Sequence, residues 1–138
     1  MMKTTRAATD PRITCLSCTL RKARFRDRPA LRKLTGRPLI RAFRIRSAED
    51  AQQAQASTAE QILLDAGAGD GKTFDWSWLK EVTRPYFLAG GLNPENAGEA
   101  VKKLKPYAVD VSSGIETEGY KDINKMRAFV RAVREEQV

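Results

Sequence analysis

Residues 85–133 read PYFLAGGLNPENAGEAVKKLKPYAVDVSSGIETEGYKDINKMRAFVRAV. Two short apolar runs lie within them, and each ends in small residues. Phe87-Leu88-Ala89 passes into Gly90-Gly91, and Ala108-Val109-Asp110-Val111 passes into Ser112-Ser113-Gly114. A helical pattern follows each turn. In the first helix Ala97, Ala100, Val101 and Leu104 recur at i, i+3, i+4 and i+7, one apolar face. Asn93 is its expected cap, with Pro94 at the first helical position and Asn96 three residues on from the cap. In the second, Asp122 is the expected cap, and Ile123, Met126, Phe129, Val130 and Val133 are expected to share a face. Strand, small-residue turn and helix, twice in succession, predict βα units and a parallel sheet.

Working outward toward the N-terminus, the same grammar repeats. Residues 38–45, PLIRAFRI, read as a strand; Ser47 then caps a helix to about residue 56, with Asp50 three positions on. QILLD at 61–65 reads as a second strand, a glycine-rich loop runs to Lys72, and a short helix is expected near 76–82. Trp76 and Trp78, two apart on that helix, are expected to diverge, one packed and one partly exposed. Residues 85–89 and 107–111 are the third and fourth strands. Residues 29–34 read as the end of a helix that Gly36 stops. The total is four βα units, half of an eightfold barrel.

The chemistry-bearing residues sit at the ends of these strands. Strand side chains alternate, so Ile62 and Leu64 face one way and Leu63 and Asp65 the other. With helices covering the apolar face, Asp65 points inward at the C-terminal rim, where barrel enzymes keep their catalytic groups. By the same count Val109 and Val111 suit the helix layer and leave Asp110 inside. A buried carboxylate is costly unless it is paired or functional, and Arg41 is a candidate partner for either aspartate. Leu63, Leu88 and Asp110 are expected on the inner face. Gly90, Gly91, Ser112, Ser113 and Gly114 form two turns whose backbone N–H groups an anion can approach closely.

The loop AGAGDGKT imitates a phosphate loop without completing one. Gly71-Lys72-Thr73 supplies the end of a GxxxxGK[ST] motif, but the first glycine of that motif falls on Ala66. Cys15 and Cys18 form a lone CxxC in a chain with no histidine, so a four-ligand zinc site within one chain is not available and no metal is expected.

Charge divides the chain. Residues 1–46 carry 14 Lys and Arg against 2 Asp and Glu, and residues 47–138 carry 11 against 15, so a net +12 arm precedes a net −4 body. A basic arm raises the alternative of a nucleic-acid-binding module, although no aromatic ladder interleaves the arm to stack on bases. Residues 1–28 show no period and are expected to be a basic segment that is either poorly ordered or non-native, with 29–138 as the folded half-barrel. No apolar run is long enough to span a membrane.

The wording LAGGLNPEN, then AVDVSSGIE, then a final helix resembles the C-terminal portion of the phosphoribosylanthranilate isomerases, and RPLIRAFRI, ILLDA and GKTFDW resemble the preceding segments in order. The resemblance covers about residues 29–136 and implies a TIM barrel, tryptophan biosynthesis in the cytoplasm, and an Amadori rearrangement of a phosphorylated aminosugar without metal or organic cofactor. It assigns the general-acid role to Asp65, a supporting role to Asp110, phosphate binding to Gly90, Gly91, Ser112, Ser113 and Gly114, and a substrate-loop position to Lys72. The family's cysteine base lies on a first strand that is not found in this sequence, and neither Cys15 nor Cys18 takes its place. A complete barrel needs about 200 residues or more, against 138 here. The expectation is therefore a half-barrel, inactive alone, whose partner is a missing N-terminal half or a second copy. An inactive remnant is the remaining alternative.

Overall fold

A computed structural model describes residues 32–34, 36–65 and 76–136. Four parallel strands form one sheet in the order β1-β2-β3-β4, with β1 at Ile40–Arg44, β2 at Gln61–Asp65, β3 at Tyr86–Ala89 and β4 at Ala108–Val109. Helices α1 (Ala48–Gln55), α2 (Ala97–Leu104) and α3 (Ile123–Glu135) and a 3-10 segment (Trp76–Glu81) connect and follow them. Each strand neighbours the next in sequence, as the repeated strand–helix pattern requires. Among the described residues β1 and β4 remain the sheet's outer strands.

The core lies between the sheet and its helices. Phe43 and Ile45, Ile62 and Leu64, and Tyr86 and Leu88 alternate along their strands and cluster with Ala51, Ala54, Leu79, Ala97, Ala100 and Phe129 from the helical layer. Leu88 therefore faces the helices, contrary to its expected inward position. The register puts Ala42, Leu63, Phe87 and Ala108 across from one another on the opposite face. Counting the alternation from Ala89 rather than from Leu88 gives the observed result.

Caps set the helix starts. The Ser47 hydroxyl accepts from the Asp50 N–H at 3.5 Å, and the Asp50 carboxylate accepts from the Arg46 N–H at 2.9 Å. Asp122 accepts from Asn124 N–H at 2.8 Å and Lys125 N–H at 3.3 Å. Asn93 and Asn96 cap reciprocally: the Asn93 side chain accepts from the Asn96 N–H at 2.9 Å, and the Asn96 side chain accepts from the Asn93 N–H at 2.8 Å. A separate turn thus precedes α2, which begins at Ala97 rather than beside Pro94. The ends of α2 and β3 are tied by the buried Tyr86, whose hydroxyl donates to the Leu104 carbonyl at 3.0 Å. Burial pushes that phenol up to about 12.

Opposite the C-terminal rim, Arg84 crosses between connections. Its guanidinium donates to the carbonyls of Ser57, Ala59 and Glu60, while the Gln55 carboxamide oxygen accepts from the Thr83 N–H at 3.0 Å. These bonds satisfy backbone groups that the turns leave without ladder partners.

Several elements differ from the sequence reading. β4 shortens to two residues, although the Tyr107 and Asp110 N–H groups still donate to the Tyr86 and Leu88 carbonyls at 3.0 and 2.8 Å. Both Trp76 and Trp78 pack partly buried against the core. A 3-10 helix turns about 120° per residue, which places i and i+2 closer around the axis than an α-helix does. A two-stranded antiparallel hairpin, β5 (Glu116–Thr117) with β6 (Tyr120–Lys121), stands between the serine turn and α3. Its tip holds Glu118 at φ 53° and Gly119 at φ 82°, the positive pair that two-residue hairpins favour. The apolar face of α3 also divides: Phe129 is buried and Met126 and Val133 pack on the core, but Ile123 and Val130 remain 56% and 42% exposed.

Candidate active site

The strand register builds the C-terminal rim. Arg44, Asp65 and Ala89 lie directly across β1, β2 and β3. Leu88 pairs with Val109, so Asp110 extends this row beyond β4, and its N–H is held by the Leu88 carbonyl at 2.8 Å. Two aspartates are thus separated by one alanine. Neighbouring strands lie about 4.8 Å apart, which puts the two aspartate backbones roughly 10 Å from each other with only a methyl group between them. Ala89 between them is buried.

The row also corrects the arginine assignment. The arginine in register with Asp65 is Arg44, on the same face; Arg41 lies three rows earlier and on the other face, with its guanidinium carbon 4.3 Å from the centre of the Phe43 ring. A single sequence shows the alternation within β1 but not its register against β2.

Burial pushes the Asp110 carboxyl above its usual value of 3.8; the Asp65 charge adds to this rise and Lys121 opposes it. A carboxyl raised in the folded state binds its proton more readily there than in the unfolded chain. Its contribution to stability is fully present in acid and is lost as pH climbs from about the ordinary value through the folded-state one. Asp110→Asn, neutral at every pH, should therefore gain stability relative to the parent at pH 7, and that gain should disappear near pH 3. Urea unfolding of both proteins at the two pH values measures it; a difference that does not change with pH would mean the Asp110 charge carries no cost.

The two small-residue turns meet beside this row. Gly90 and Gly91 take φ of 86° and 65°, backbone that other residues rarely adopt. Gly114 fits directly beneath the first turn: a Cβ built on it would stand 1.8 Å from the Leu92 carbonyl oxygen. The first turn is further fixed by the Asn96 side-chain amide, which donates to the Gly91 carbonyl at 2.9 Å. On the second, the Lys121 ammonium donates to the Ser112 carbonyl at 2.8 Å and to the Glu116 carboxylate at 2.6 Å. This brings a cation from the hairpin to the serine turn. Sequence reading missed Lys121 because it missed the hairpin; the Glu118-Gly119 pair was the available signal. Lys72 and the loop around it lie outside the described residues, as do Cys15 and Cys18.

The family model for N-(5'-phosphoribosyl)anthranilate (PRA) isomerase matches residues 26–132. The chain belongs to the PRA isomerase family. Relatives bearing that name include one from Endomicrobium trichonymphae, 45% identical over 109 residues that make up 75% of this chain and 53% of the relative. Another, from Acidithiobacillus ferrooxidans, is 41% identical over 137 residues, covering 92% of this chain and 67% of the relative. Among solved structures, the phosphoribosyl anthranilate isomerase of Thermotoga maritima superposes with a TM-score of 0.66 at 36% identity, covering 78% of this chain and 57% of that one. A PRA isomerase in complex with reduced 1-(O-carboxyphenylamino)-1-deoxyribulose 5-phosphate superposes at 0.63 with 34% identity, covering 78% and 54%. The chain spans about half the length of several relatives it matches. No helix among the described residues is long and apolar enough to cross a membrane.

Proposed function

We propose that this chain is the phosphate-binding and general-acid half of a cytoplasmic (β/α)₈ PRA isomerase, active when a partner supplies the remaining βα units and the general base. The observation that carries this reading is the convergence at one rim: Asp65 and Asp110 in a single row, beside two turns interlocked at Gly114 and Leu92. The turn backbone and nearby Lys121 suit a phosphate, and the interval between the two carboxylates suits the sugar.

The proposed reaction is an Amadori rearrangement of N-(5-phosphoribosyl)anthranilate. Asp65 protonates the ribose ring oxygen, and the ring opens to a Schiff base. A base on the partner half then removes the proton from the adjacent sugar carbon, and the resulting enolamine becomes the 1-deoxyribulose ketone. Acid and base come from different strands and approach the sugar from different sides. Asp110 stands across Ala89 from Asp65 and shapes the field there. The nucleic-acid alternative has only the charge of the arm behind it.

The test is rescue of a tryptophan-requiring strain that lacks the isomerase. Growth is expected when this chain is co-produced with the first four βα units of the Acidithiobacillus relative, and not with either half alone. Ser113→Asp, which sets a negative charge in the proposed anion cradle, should abolish the rescue. Growth from this chain alone, or growth that Ser113→Asp leaves intact, would overturn the proposal.

A further inference from the structure

The outer flank of α3 is built differently from its inner one. On the α2 side the helices approach closely: a Cβ built on Gly98 would stand 3.4 Å from the Ala132 carbonyl oxygen, and the Lys102 ammonium lies 3.8 Å from the Glu136 carboxylate. On the other flank a shallow groove runs along Ile123, Met126 and Val130, rimmed by Arg127, Arg131 and Arg134 with Glu135 as the one acidic residue among them. Ile123, Arg127, Val130 and Arg134 recur at i, i+4, i+7 and i+11, which is one stripe of a helix. The stripe adjoins the buried row through Met126, so it continues the core instead of standing apart from it.

We infer that this flank is a docking groove for an amphipathic helix whose apolar stripe is edged with acidic side chains, carried by a partner polypeptide. The placement supports this occupant. The last helix beyond β4 is where the helical layer would continue in a closed barrel; the partner's identity as the other half-barrel rests on the function proposed above. Charge selects among occupants. A second copy would bring the same three arginines against these three, with a single Glu135 from each side to offset them. The chain's own arm, with net charge +12 over residues 1–46, would meet the same repulsion. An acidic helix seats its apolar residues on Ile123 and Val130 and pairs its carboxylates with the arginine rim, where complementarity sets specificity.

The experiment uses the full chain and two synthetic 18-residue amphipathic peptides that share one leucine stripe, flanked by Glu in one and Lys in the other. Methyl NMR should show the Glu peptide shifting Ile123, Met126 and Val130, with the Lys peptide at least about tenfold weaker. Arg127→Glu with Arg134→Glu should reverse that preference, and Val130→Asp should remove binding of the Glu peptide while the far-UV spectrum is retained. Equal binding of both peptides would overturn the inference, as would no binding. Self-association that Val130→Asp abolishes would assign the groove to a second copy, and binding to phosphatidylglycerol vesicles in place of the peptide would assign it to a membrane surface; either result overturns the inference. None of these readouts uses isomerase activity, so they stand apart from the rescue test.

Discussion

Asp65→Asn in the proposed two-part barrel is expected to lower turnover by about 10²–10⁴-fold, the usual contribution of a single general acid, which is the role proposed for it. The amide keeps the size and much of the hydrogen-bonding capacity of the carboxyl but cannot donate the acidic proton. Its KM should stay within about tenfold of the parent, because the interaction removed belongs to the transition state. The rim geometry makes the experiment specific. Asp110 lies across Ala89 in the same row, so Asp110→Asn serves as the matched control and should reduce turnover less. Steady-state kinetics on both variants decides between them. Near-parental turnover by Asp65→Asn would reduce that residue to a turn former, and a larger loss at Asp110 would exchange the two roles.

Gly114→Ala should be among the most damaging single-methyl changes available in this chain. The added carbon has nowhere to go: the Leu92 carbonyl oxygen lies at 1.8 Å, its carbon at 2.8 Å and the Asn93 Cα at 3.0 Å, all backbone. One of the two turns must move, and overpacking of this kind costs about 1–3 kcal/mol. The two turns should also separate, so the proposed anion site should fail together with stability. Gly119 is the informative comparison. Nothing lies within 4 Å of its Cβ position, and its constraint is a φ of +82°. Gly119→Asn should therefore be nearly neutral, since asparagine tolerates left-handed backbone. Urea unfolding and sulfate titration of both variants give the answer. A Gly114→Ala protein as stable as the parent, still binding sulfate, would mean the turns do not depend on their contact.

Part of this was legible in the sequence, for a physical reason. Period-two alternation reports which side a strand residue takes, so the inward direction of Asp65 followed from Ile62 and Leu64 alone. The βα order and the caps at Ser47 and Asp122 are likewise local and were readable. What could not be read was relation between segments. The pairing of Arg44 with Asp65 depends on inter-strand register. The seating of Gly114 under Leu92 joins residues from two different βα units. The splitting of the α3 stripe depends on what packs beside the helix, not on the helix. The hairpin after the serine turn was readable in principle, but a two-residue strand is too short for alternation to mark. The tryptophan pair was misjudged because α geometry was assumed where the chain winds more tightly.

The proposed two-chain barrel has a consequence for dosage. In a barrel made from one polypeptide, the outer strands meet at the high effective concentration that a tether imposes. Here β1 and β4 are the terminal strands of the described sheet, and closure with a separate partner would be a bimolecular event. Its yield would follow the abundance of both chains, and the melting temperature would rise with protein concentration rather than remain fixed. Under that proposal a cell making one half in excess would accumulate unsealed sheet edges, so balanced synthesis would matter as much as the proposed catalytic residues themselves.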